Sequence, residues 1–74
     1  MTFSDRIEEV CREFNRVRTA MSAKGLTREQ SAYYQAETAT INYCLGTLGI
    51  PCVRDDAGYI TAFEIMGGFH EVRS

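Results

Sequence analysis

The chain has 74 residues, 45% of them hydrophobic and 24% charged, with a formal net charge of −2. That balance belongs to a folded chain rather than a disordered one, and the length allows a single domain near the lower limit for a self-sufficient core. No apolar run approaches the roughly 20 residues of a membrane span, and the basic footprint expected of a nucleic-acid binder is missing.

The N-terminal residues Met1 to Arg6 hold no basic stretch followed by an apolar one, which is read as a cytoplasmic protein. The first helix is expected over residues 3–24. Phe3, Ile7, Val10, Phe14, Val17 and Met21 alternate spacings of four and three, a heptad seam along one face with Cys11 beside it. Thr2 or Ser4 is the candidate N-cap. Gly25 is placed to end the helix in a left-handed conformation, with Leu26 folding back on Met21. The seam is read as intramolecular core rather than as a coiled-coil seam.

Thr27-Arg28-Glu29-Gln30 has the pattern of a capping box, so a second helix is expected over 28–48, ending at Gly46 or Gly49. The short connection makes the two helices antiparallel neighbours. From Gln30 to Val53 the only formal charge is Glu37. One stripe of this helix is large (Tyr34, Ile41, Leu45, Leu48) and another small (Ala32, Ala36, Ala39, then Tyr43). Two readings follow: a central helix covered by the first helix and the hairpin, or a helix with one face in an interface, where charge is depleted and tyrosine enriched.

A β-hairpin is expected over 50–66. Pro51 cannot donate to a ladder, so the first strand belongs at an edge or has its start there. Asp55-Asp56-Ala57-Gly58 suits a type I turn closed by a left-handed Gly58. Simple alternation puts Val53, Tyr59, Thr61, Phe63 and Ile65 on the face that meets the helices. It puts Ile50, Cys52, Arg54, Ile60, Ala62, Glu64 and Met66 on the other. In the tail, 67–74, Gly67-Gly68 can turn the chain so that Phe69 to Val72 adds a third strand. The expected fold is α+β, two antiparallel helices packed on a small antiparallel β-hairpin.

Chemistry-bearing residues are sparse. Cys11, Cys44 and Cys52 show no close-paired metal-ligand spacing, and with His70 they make a zinc set only by count. The reading is therefore no metal and no cofactor. The lone histidine near the chain end is a poor general base, and Glu8-Glu9 and Asp55-Asp56 have structural or solvated roles. A small cysteine-dependent enzyme is kept as an alternative.

A second alternative comes from Gly25-Leu26-Thr27-Arg28-Glu29-Gln30-Ser31-Ala32, which resembles the opening of a helix-turn-helix and would imply a winged-helix nucleic-acid binder if a turn fell at residues 33–37. Ala36 stands where that motif has glycine, and Thr38 to Leu48 holds no Lys or Arg for phosphate contacts. The leading expectation is a non-catalytic protein-interaction module, an adaptor or a modulator or inhibitor of a larger protein or complex. Such small chains without catalytic chemistry suit accessory proteins of phages or mobile elements. A homodimer is expected, and the candidate partner-binding residues are Tyr33, Tyr34 and Tyr43, then Ile60 and Met66.

Overall fold

Both helices begin on the same chemistry. In the computed structural model, which describes residues 2–73, the Thr2 hydroxyl accepts from the Asp5 amide while the Asp5 carboxylate accepts from the Thr2 amide. This reciprocal cap satisfies two otherwise orphaned donors and opens α1, Phe3–Met21. Thr27 and Gln30 make the same exchange at 3.0 Å in each direction and open α2, Arg28–Thr47.

The two helices end differently. At the end of α2, Ile50 N–H bonds Leu45 C=O and Gly49 N–H bonds Gly46 C=O, with Gly49 at φ 69°. That is a Schellman ending, and its apolar contact joins two core residues, Leu45 and Ile50. α1 stops three residues before the expected Lys24. The amides of Ser22 and Ala23 bond three residues back, to Thr19 and Ala20, which tightens the last turn. Gly25, at φ 79°, then sits in the connection rather than at the helix end.

Three antiparallel strands follow, β1 (Cys52–Arg54), β2 (Ile60–Ile65) and β3 (Gly68–Glu71), in the order β1-β2-β3. The first turn is as the sequence suggests. Gly58 N–H bonds Asp55 C=O at 3.0 Å, and Asp55 Oδ1 accepts from the amides of Ala57 and Tyr59. Gly58 is required by its backbone conformation. Its φ is 89°, and a Cβ there would lie 2.7 Å from Arg18 Nε, whose N–H donates to Ala57 C=O at 2.6 Å. The second turn is Met66-Gly67, with φ of 53° and 81°, the doubly left-handed form favoured in two-residue hairpins. Gly68 already pairs with Ile65.

The expected assignment of sheet faces is corrected by a β-bulge. Cys52 pairs with Phe63 and Val53 with Ala62, but Arg54 pairs with Ile60, so Thr61 is the extra residue. A bulge reverses side-chain parity along its strand. Ile60 (1% exposed) and Phe63 (0%) therefore both enter the core. Cys52 packs against that core, and the Arg54 guanidinium lies over the Phe14 ring. Val53 and Thr61, expected inside, are exposed. The bulge is held from α1: Asn15 donates from Nδ2 to Ile60 C=O at 2.9 Å and accepts at Oδ1 from Ile60 N–H at 2.8 Å.

The layer order differs from the central-helix reading of the second helix. α1 is the middle layer, with α2 on one side and the sheet on the other. Ile7, Cys11, Phe14 and Val17 of α1 are buried, whereas α2 buries only Leu45. The helix poorer in charge is thus the outer one, and it runs without the turn that a helix-turn-helix needs at residues 33–37.

Asn15→Ala removes two hydrogen bonds from a half-buried backbone unit and should cost about 2–3 kcal/mol in urea unfolding. Arg12→Gln, which breaks the exposed 3.0 Å pair with Glu8, should cost under about 1 kcal/mol. Equal effects would show that Asn15 does not hold the bulge.

Candidate interaction surface

The outward face of α2 is built from small residues with tyrosines set among them. Ala32, Ala36, Ala39, Thr40, Tyr43 and Thr47 are all exposed. Tyr43 is 74% exposed and Tyr33, on the flank, 63%. Glu37 is half-buried and turns toward Glu13, beside Ile41, so from Ala32 to Thr47 the outward stripe carries no formal charge. Thr40 spends its hydroxyl proton on Ala36 C=O at 2.8 Å, which lowers the polarity the stripe presents. Tyr34 is half-buried and belongs to the side facing α1. Its ring is 5.7 Å from that of Tyr33. Of the three tyrosines, two are free on the surface and one is partly used by the fold.

A second apolar region lies at the opposite end of the hairpin. Phe3 (55% exposed), Leu48 (58%) and Met66 (101%) surround a shallow groove of about 310 Å³ with Ile50 and Ile65. Sequence reasoning placed Phe3 in a core seam and Leu48 in the large apolar stripe of the second helix. They are exposed because each lies at a helix end, where the neighbouring helix no longer covers the face. Ile60, expected on an outer sheet face, is instead a core residue because of the bulge, and contributes no surface. Met66 is exposed as expected, but at the tip of a turn.

Among the chemistry-bearing side chains, the thiols of Cys11 and Cys52 are neighbours. Cys11 is buried and Cys44 exposed on α2, while Cys52 is half-buried. Among the described residues no three His, Cys, Asp or Glu side chains group as a metal site. His70 stacks on Phe63 at 5.2 Å. Phe63 is flanked by Cys52 on β1 and His70 on β3, which puts those two roughly 10 Å apart across the sheet. Burial, reinforced by the neighbouring Cys52 thiol, pushes the Cys11 thiol up to about 12, and burial also raises Cys52. An activated cysteine nucleophile shifts the other way.

No helix among the described residues is long and apolar enough to cross a membrane. In comparisons with known proteins, no family model, curated protein or solved structure matches this chain.

Two measurements check this description. Met66 holds a left-handed backbone that Asn or Gly adopts at lower cost, so Met66→Asn should stabilise the fold by about 0.5–1 kcal/mol. A loss of stability would mean that the exposed side chain contributes to folding. The raised thiols favour the protonated form in the folded state, so their contribution is complete below the unfolded thiol value, about 8.5. It is then lost as pH rises from there toward about 12, at about 1.4 kcal/mol per pH unit for Cys11. Cys11→Ala should be less stable at neutral pH yet lose stability less steeply in alkali; parallel curves would contradict the assignment.

Proposed function

We propose that this chain is a non-catalytic protein-interaction module that acts as a homodimer and modulates or inhibits a larger protein or complex in the cytoplasm. The observation that carries this reading is the outer helix: its water-facing stripe from Ala32 to Thr47 has no formal charge and exposes Tyr33 and Tyr43. A helix that serves only its own fold normally carries charge on the face turned to solvent. Depleted charge and exposed tyrosine are what interface cores share.

A second copy fits the stripe. Two antiparallel α2 helices related by a two-fold axis would set Tyr43 of each against Ala32 of the other, and Ala36 against Ala39. Large then meets small, and the pairing is self-complementary. The shape supports the same reading. The radius of gyration is 12.9 Å, against roughly 11 Å for a compact chain of this length. Self-association on α2 leaves the end formed by Phe3, Leu48 and Met66 for the larger partner.

Sedimentation equilibrium tests the dimer. The wild-type chain should sediment as a dimer. Ala39→Lys, a change at an exposed position, should be a monomer with unchanged helical circular dichroism. Cys44 adds the orientation. Antiparallel pairing puts the two Cys44 thiols about 20 Å apart along the axis, so mild oxidation leaves them unlinked, whereas parallel pairing would join them. A wild-type monomer at all concentrations would rule out the homodimer.

A further inference from the structure

One concavity takes no lining residue from α2. It is a groove of about 510 Å³ between α1 and the start of β2, lined by Arg12, Arg16, Thr19, Tyr59 and Val72 around Asn15 and Ile60. That volume is in the range of small-molecule sites. We propose that this groove binds a small organic carboxylate with an apolar body. The assignment is independent of self-association through α2.

The hydrogen-bond accounting carries the argument. Asn15 uses both amide atoms on Ile60. Thr19 gives its single hydroxyl proton to Asn15 C=O at 3.1 Å, so in the 3.2 Å contact between Thr19 and Tyr59 the phenol is the donor. Thr61 donates to Val53 C=O. Of the neutral side-chain donors lining the groove, only the second N–H of the Asn15 amide is left over. The guanidiniums are different. Arg12 uses one N–H on Glu8 and Arg16 uses two on Glu13, out of five on each. Most of the spare donors are therefore cationic, on guanidiniums one helical turn apart, so a ligand must bring acceptors, and an anion suits a guanidinium fork best. Between them the wall is the Tyr59 ring and the Val72 side chain, both half-buried, which suits an alkyl or aryl body. Glu8 and Glu13 hold the two arginines when no ligand is present, and a bound carboxylate exchanges with them.

The test is an amide chemical-shift titration of the intact protein with octanoate, and separately with octanamide, its uncharged analogue. Octanoate should shift the amides of Asn15, Thr19, Ile60, Thr61 and Val72. Arg16→Gln should weaken octanoate about tenfold, the loss of one charge-assisted contact. Glu13→Gln, which releases Arg16, should tighten it. Octanamide should bind more weakly and respond to neither change. Both variants lie on the exposed surface of α1, and their unperturbed spectra report that the fold is kept. The proposal is overturned if the two ligands bind alike, if neither substitution alters octanoate binding, if the shifts fall on Tyr33 and Tyr43 or on Phe3, Leu48 and Met66, or if no shift occurs at millimolar octanoate.

Discussion

One side chain on α1 sets the register of the sheet. Asn15 offers Ile60 the donor and acceptor that a neighbouring strand would offer, at the point where β2 carries an extra residue. Without that partner, the N–H and C=O of Ile60, shielded by helix and sheet, would be left unbonded, at a cost of about 1–3 kcal/mol each. With it, the strand changes parity, and Ile60 and Phe63 can both point at α1 although an odd number of bonds separates them. The contacts of Cys52 with the core and of Arg54 with Phe14 follow from the same shift.

What the sequence made legible was local. Thr27 and Gln30 are three apart, Asp55 and Gly58 are three apart, and Gly49 follows the last helical residues directly, so each signal lies within one turn of the structure it specifies. The Thr27 cap and the first hairpin turn could be read on that basis, while Thr2 and Ser4 both stood as candidates for the first cap and Gly46 and Gly49 for the end of the second helix. The bulge could not, because its cause lies 45 residues away in sequence and the residues of β2 alone do not mark where an extra one is inserted. Ile60 was misassigned to the surface for that reason, and Val53 to the interior.

The candidate surface was legible in kind but not in placement. The missing charge on α2 is visible in the residues themselves. Whether it signals a covered helix or an exposed one depends on layer order, which no spacing encodes, since α1 and α2 both carry apolar stripes. The deciding difference is quantitative: α1 has apolar side chains on two sides of its seam, with Cys11 and Phe14 among the buried set, and so can be packed from two directions. The exposure of Phe3 and Leu48 escaped for a related reason, because periodicity describes a face and says nothing about where the facing element stops.

The position of α2 has a dynamic consequence. It is held chiefly by one side of one neighbour, joined to the sheet by the Arg54–Asn42 hydrogen bond, and it buries a single residue completely. Local openings follow such differences in burial. The amides of α2 should therefore exchange with solvent through a partial opening that leaves α1 and β2 intact, while those of Phe14 and Phe63 wait for the whole chain to unfold. In energetic terms the molecule is an anchored core with a loosely moored outer helix, and whatever covers that helix would extend to it the protection the rest of the fold already has.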